Sequence, residues 1–156
     1  MHNGTAIGIV ETSSIAKGFE IADTMLKAAN VRMVVNRTIC PGKYMVLVGG
    51  GVDAVRSSVE AGLEVGAHTV VDSFIIPNLH PSVFPAISGV NHLPELKALG
   101  VIETFSVASV IEAADAAVKA TPIQLIAINL AMAIGGKGWV SMTGEANSGR
   151  RMKKPR

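Results

Sequence analysis

Apolar positions along the chain alternate between short continuous runs and longer stretches with helical spacing, so strands and helices are interleaved from the start. Ala6–Val10 is an apolar run with β-branched residues and predicts a buried strand. Thr12-Ser13-Ser14 offers hydroxyl caps to a helix over Ile15–Ala29, in which Ile15, Phe19, Ala22, Met25, Leu26 and Ala29 are expected on one face and Asn30 as a left-handed stop. Val31–Ile39 and Tyr44–Val48 predict a hairpin around Cys40-Pro41-Gly42-Lys43, where Pro and Gly set the turn. Gly49-Gly50-Gly51 ends that strand, and a second helix follows over Val52–Val65 with Val52, Val55, Val59 and Leu63 inward. Thr69–Ile76 reads as a strand, Pro77–Pro81 breaks it, a short helix is expected near Val83–Ile87, and Ser88–Lys97 is a linker.

The pattern then starts again. Ala6-Ile7-Gly8-Ile9-Val10-Glu11-Thr12 returns as Ala98-Leu99-Gly100-Val101-Ile102-Glu103-Thr104, an offset of 92. Ser14, Ala16, Glu20, Ala22, Asp23, Lys27 and Ala28 recur at the same offset as Ser106, Ala108, Glu112, Ala114, Asp115, Lys119 and Ala120. Helix propensity alone does not reproduce identities in register; a duplicated unit does. The second copy predicts a strand, a helix over Val107–Lys119 stopped by Pro122, and a hairpin of Ile123–Leu130 with Trp139–Met142. No counterpart of the second helix or of the Thr69–Ile76 strand is found. The class is α/β, an α+β sandwich of tandem repeats with mostly antiparallel sheet and flanking helices. The expected domains are 5–90, an incomplete 98–145, and a basic, disordered tail over 146–156.

Composition adjusts this picture in a few places. Apolar residues make up 49% of the chain and aromatics only 4%, so small aliphatic side chains build the core. Mean hydropathy is +0.42 with no apolar run of membrane-spanning length, which points to surface buried between subunits rather than to a membrane. Net charge is +2, and much of the positive balance sits in Arg150–Arg156, so the folded body has no nucleic-acid footprint. One cysteine and no charged and apolar leader at the N-terminus fit the cytosol.

The chemistry on offer is sparse. Cys40 is the single cysteine, at a strand end beside a Pro-Gly turn, and the echo of that turn, Ile134-Gly135-Gly136-Lys137, has Ile134 in its place. A lone cysteine is most often a small buried hydrophobe. As a nucleophile it would need a base, and no histidine lies near it in sequence. His2, His68, His80 and His92 show no ligand spacing with Cys40. Lys43 is expected to favour a thiolate electrostatically. Gly49-Gly50-Gly51 lacks the phosphate-loop pattern and reads as a strand-to-helix turn. Glu11 and Glu103 recur at equivalent positions, which favours a structural role at subunit interfaces over acid catalysis.

The Ala6–Thr12 strand, the helix ending Ala22-Asp23-Thr24-Met25-Leu26-Lys27-Ala28-Ala29-Asn30-Val31, and the Pro-Gly-Lys hairpin resemble the bacterial microcompartment shell domain. With both repeats present, the chain is similar to the tandem, trimer-forming branch, which includes an iron–sulfur-binding type from propanediol-utilisation compartments. That resemblance covers Thr5–Gly144 and implies a non-enzymatic shell tile in the cytoplasm: a pseudohexagonal homotrimer with a central pore, packed edge to edge with other shell proteins around encapsulated redox enzymes. It implies that Thr38, Ile39, Pro41, Gly42 and Lys43, with Ile134, Gly135, Gly136 and Lys137, form the pore loops. It implies that Cys40 of three chains ligates one [4Fe-4S] cluster for electron transfer across the shell. Lys27 and Lys119, with His80, are implied at the tile edge. Two other readings remain open: a metabolite-pore tile without a cluster, and an enzyme using Cys40 as a nucleophile.

Overall fold

The computed structural model describes residues 6–89, 91–93, 95–131 and 135–146; Ile134 and the tail beyond Ala146 lie outside the described residues. Seven strands and four helices follow one another as β1 (Ala6–Thr12), α1 (Ile15–Ala28), β2 (Arg32–Ile39), β3 (Lys43–Gly50), α2 (Val52–Gly66), β4 (Val70–Ile76), α3 (Val83–Ser88), β5 (Ala98–Thr104), α4 (Val107–Ala120), β6 (Gln124–Leu130) and β7 (Gly138–Gly144). A short 3-10 turn, Ala67–Thr69, joins α2 to β4. Two compact units divide the chain: residues up to Leu79 together with 135–136, and His80–Ala131 together with the residues from Lys137 onward. The α+β class and the tandem antiparallel architecture hold.

In the first unit the sheet order is β2-β3-β1-β4, all antiparallel. β1 is therefore central, with β3 on one edge and β4 on the other. Helices α1 and α2 lie on one face of this sheet, where Ala6, Val10, Val46 and Val48 meet Ile21, Ala22, Met25, Val55 and Val59. The helices approach each other closely because Gly62 presents no side chain; a Cβ there would lie 2.8 Å from Met25 Cγ. Beside it, the buried Ser58 hydroxyl donates to the Met25 carbonyl at 2.9 Å. Gly8 does the same for the sheet, since a Cβ on it would stand 2.4 Å from a Val59 methyl. Ile7, Ile9, Met45 and Leu47, which alternate with these residues along β1 and β3, are also fully buried.

The second unit has the order β5-β7-β6, antiparallel throughout, with α4 and α3 packed on it. Segment 80–91 belongs to this unit. The Asn91 side-chain amide donates to the Leu125 carbonyl at 2.8 Å and to the Ser82 carbonyl at 3.3 Å. β5 pairs only with β7 among the described residues, so the strand equivalent to the central β1 is an edge.

Both long repeat helices start on the expected cap. The Ser14 hydroxyl accepts from Lys17 N–H at 3.3 Å, and its repeat Ser106 accepts from Ser109 N–H at 3.1 Å. Two expectations fail. Asn30 is not the left-handed stop: α1 ends at Ala29 in extended conformation, and only Ala67 and Ala131 among the described non-glycine residues have positive φ. The buried face of α1 keeps Ala22 and Met25 of the expected set but is rolled away from Ile15, Phe19 and Leu26. Gly18, Ile21, Ala22 and Met25 are buried, whereas Ile15, Phe19 and Leu26 are 41%, 61% and 45% exposed.

Tyr44 explains that rotation. Its ring lies over Gly18, where a Cβ would be only 2.4 Å away, and Phe19 is turned outward onto it with ring centroids 5.0 Å apart. The second unit solves the same contact in reverse. Val110 stands at the Gly18 position of the repeat, and Gly138, opposite Thr104 as Tyr44 is opposite Thr12, stands at the Tyr44 position. A Cβ on Gly138 would lie 2.6 Å from a Val110 methyl. Each unit thus places one bulky and one absent side chain at this crossing, on opposite partners.

Gly18→Val should destabilise the chain by about 1–3 kcal/mol in urea unfolding, through overpacking against Tyr44. Combined with Tyr44→Gly it should show a favourable coupling of about 0.5–3 kcal/mol relative to the summed single changes. Burial also raises the Tyr44 hydroxyl above its usual 10.0. The fold favours the neutral phenol, so its contribution is intact below pH 10 and is lost as pH climbs from there through the folded-state value. Alkaline unfolding of the wild type should be steeper above pH 10 than that of Tyr44→Phe.

Candidate functional site

The strands β2 and β3 pair in continuous antiparallel register up to Ile39 opposite Lys43, apart from one bulge at Met33–Val35. The hairpin therefore delivers Cys40, Pro41 and Gly42 as a tight turn at its tip. Cys40–Pro41 is cis, and Gly42 has φ of 76°, a left-handed conformation that glycine adopts without a steric penalty. Thr38, Pro41 and Gly42 are exposed, Cys40 and Lys43 are half-buried, and Ile39 is buried. Cys40 is a free thiol.

The echo of this turn is also glycine-built. Gly135 and Gly136 have φ of 66° and 84°. Gly136 is buried in the first unit, where a Cβ would come 2.8 Å from the Cys40 carbonyl oxygen and 3.0 Å from Pro41 Cδ. No side chain fits between Gly136 and the Cys40 turn. The structure therefore brings Gly136 to the cysteine-bearing loop; Gly135 is exposed and Lys137 half-buried.

Lys43 does not attend to the thiol. Its ammonium forms an ion pair with Glu11, a fully buried carboxylate near the end of β1. The other carboxylate oxygen, Oε2, is buried and makes no hydrogen bond among the described residues. The second repeat copies the pair: Lys137 Nζ lies 2.8 Å from Glu103 Oε1, with the lysine side chain 42% and the glutamate side chain 60% exposed and the ammonium 5.4 Å from the centre of the Phe105 ring. Glu11 and Glu103 thus anchor the start of the second hairpin strand to the end of the first strand of each repeat. Sequence reading placed these carboxylates as structural but missed their partners, which lie 32 and 34 residues away. The signal was present, as Glu-Thr and the turn lysine recur together in both repeats.

The residues expected at an edge belong to different units. Lys27 ends α1 and pairs with Asp23 Oδ2 at 2.6 Å on an open surface. Lys119 pairs with Asp115, which is 6% exposed and also accepts the His80 backbone N–H at 2.7 Å. Asp115 is the group that joins Lys119 and His80, and its recurrence with the lysine at a four-residue spacing was the available sign. The His80 ring is occupied by Ser82, Nδ1 to Oγ 2.8 Å.

Among the described residues no histidine hydrogen-bonds Cys40, and no three His, Cys, Asp or Glu side chains gather closely enough to hold a metal ion. No helix among the described residues is long and apolar enough to cross a membrane. What the geometry defines is a duplicated α+β unit presenting two glycine-turned hairpin tips, one with a thiol.

Comparison with known proteins gives that class its family. The BMC domain matches the chain twice, over residues 6–79 and 98–148. The chain is 47% identical over 142 residues to the bacterial microcompartment shell protein PduT of Citrobacter freundii, covering 91% of this chain and 77% of that protein. It is 36% identical over 93 residues to the carboxysome shell protein CsoS1 of Prochlorococcus marinus, covering 58% of this chain and 90% of that one. A crystal structure of a microcompartment protein from Desulfitobacterium hafniense superposes with a TM-score of 0.86 at 53% identity, over 92% of this chain and 79% of that one. The chain belongs to the BMC-domain family, the shell proteins of bacterial microcompartments.

The two Glu–Lys pairs differ in burial, and their removal should differ in cost. Lys43→Met, which leaves Glu11 buried and unpaired, should lower unfolding free energy by about 3 kcal/mol. Lys137→Met should lower it by less than about 1 kcal/mol. Urea titrations of the two variants at neutral pH make the comparison.

Proposed function

We propose that the chain is a tile of a microcompartment shell, working as a homotrimer of tandem domains whose hairpin tips surround a central pore, and that Cys40 of three copies together holds one [4Fe-4S] cluster there. The observation that carries this reading is the turn itself: one half-buried free thiol at the tip of a hairpin, in a repeat whose other copy has none. A single chain offers too few donors for a cluster, which takes about four thiolates. A three-fold axis supplies three of them from identical tips. Backbone N–H groups of the glycine turn are the natural hydrogen-bond donors to sulfur at such a place. The cluster, when bound, would supply one-electron transfer between the two sides of the shell. Gly136 supports the reading because it lets the loop carry the thiol with a bare backbone behind it. The Glu11–Lys43 pair fixes the strand that carries the loop, and so the height of the thiol. Other shell proteins at the edges carrying Lys27 and Lys119, and redox enzymes within, are the partners this role requires.

Anaerobic purification tests it. The expected product is a brown trimer with one cluster for every three chains by iron and sulfide analysis, and Cys40→Ser should remain trimeric while losing the iron. A colourless, iron-free trimer would leave a tile whose pore passes metabolites. A species other than a trimer would sink the assembly itself.

A further inference from the structure

The two hairpin turns are built alike but are not placed alike. Strand register makes Gly136 the repeat equivalent of Gly42, since Tyr44 pairs with Thr12 as Gly138 pairs with Thr104. Both glycines are left-handed, Gly42 with φ of 76° and Gly136 with φ of 84°. A Cβ on Gly42 would meet nothing within 4 Å, and neither would one on Gly135, whose φ is 66°. A Cβ on Gly136 would instead strike the Cys40 carbonyl oxygen and Pro41 Cδ. Those atoms belong to a main chain and a proline ring, so no rotamer change moves them aside. The stems of the cysteine turn are held as well. Ile39 is 4% exposed on one side, and on the other Lys43 is paired with the buried Glu11 carboxylate. What is left to move is Cys40–Gly42, and the thiol with it.

We propose that Gly136 is a positioning residue for Cys40: the bare backbone of the second turn fixes where the cysteine turn sits, and so how open its thiol is to reagents. Gly42 answers to the conformation of its own turn. Gly136 answers to that and to the contact with the other turn. Thiol reactivity follows exposure and local surroundings, so a side chain at position 136 acts on Cys40 without touching sulfur. The purpose of such positioning rests on the cluster reading, in which three thiols converge on one group. Groups behind the ligands set the geometry of a site of that kind. The positioning itself is a property of the single chain.

The full chain holds one cysteine, so alkylation by iodoacetamide, followed by intact mass, reports on Cys40 alone. Gly135→Ala and Gly136→Ala impose the same left-handed penalty on adjacent residues of one turn, and only the second reaches the cysteine turn. In iron-free protein, Gly136→Ala should change the alkylation rate from that of wild type by at least about threefold, and Gly135→Ala should stay within that factor. Equal rates in all three proteins overturn the proposal. Equal changes in both variants also overturn it, because Gly136 would then only form its own turn. If Gly136→Ala does not fold, wild type isotopically labelled on glycine carries the test. Alkylating Cys40 should shift the Gly136 amide resonance and not that of Gly51, beyond the far end of β3; an unmoved Gly136 resonance overturns the proposal. Anaerobic iron analysis separates this inference from the cluster, because an iron-free wild type sinks the cluster while a change in alkylation specific to Gly136→Ala still upholds the positioning.

Discussion

Where the first helix of a repeat crosses the second strand of its hairpin, there is room for one bulky side chain and no more. In the first unit the strand supplies it as Tyr44 and the helix yields at Gly18; in the second the helix supplies Val110 and the strand yields at Gly138. Much follows from this allocation. It sets the roll of α1, turns Phe19 outward, and decides which residues face the core between helix and sheet. Interiors are packed to the density of solids, so such a contact cannot be averaged away. The duplicated units each keep one bulky and one absent side chain there while exchanging their owners.

Most elements could be read from the chain because their signals are local: apolar runs, hydroxyl caps, glycine turns and the offset of 92. The roll of α1 could not. Around Ala22 and Met25, the residues Ile15, Phe19 and Leu26 satisfy helical spacing as well as Gly18 and Ile21 do, and the choice between the two rolls is made by a tyrosine on a strand that comes later. The site divides the same way. Cys40 and its turn stood out by composition and position. The commitment of Lys43 to Glu11 needed the strand register, because a sequence places the lysine beside the thiol and says nothing of a carboxylate 32 residues away.

Repeats that began alike have been assigned different surroundings. Glu11 is fully enclosed and Glu103 is 60% exposed, though each holds the same turn lysine. Among the described residues β1 is a central strand and β5 an edge. Only one hairpin tip carries a cysteine. A duplicated chain can thus give its two copies distinct chemistry while the scaffold stays common.

Asp115 has one further consequence. It takes both the Lys119 ammonium and the His80 backbone N–H, and its side chain is 9% exposed, whereas Asp23 and Lys27 stand 62% and 74% in solvent. Mobile ions reach the second pair and weaken it over a Debye length of about 8 Å at physiological salt, while sheltered pairs feel them far less. Ionic strength therefore acts on the two helix-end lysines unequally: a change of salt frees Lys27 to seek another carboxylate and leaves Lys119 where it is.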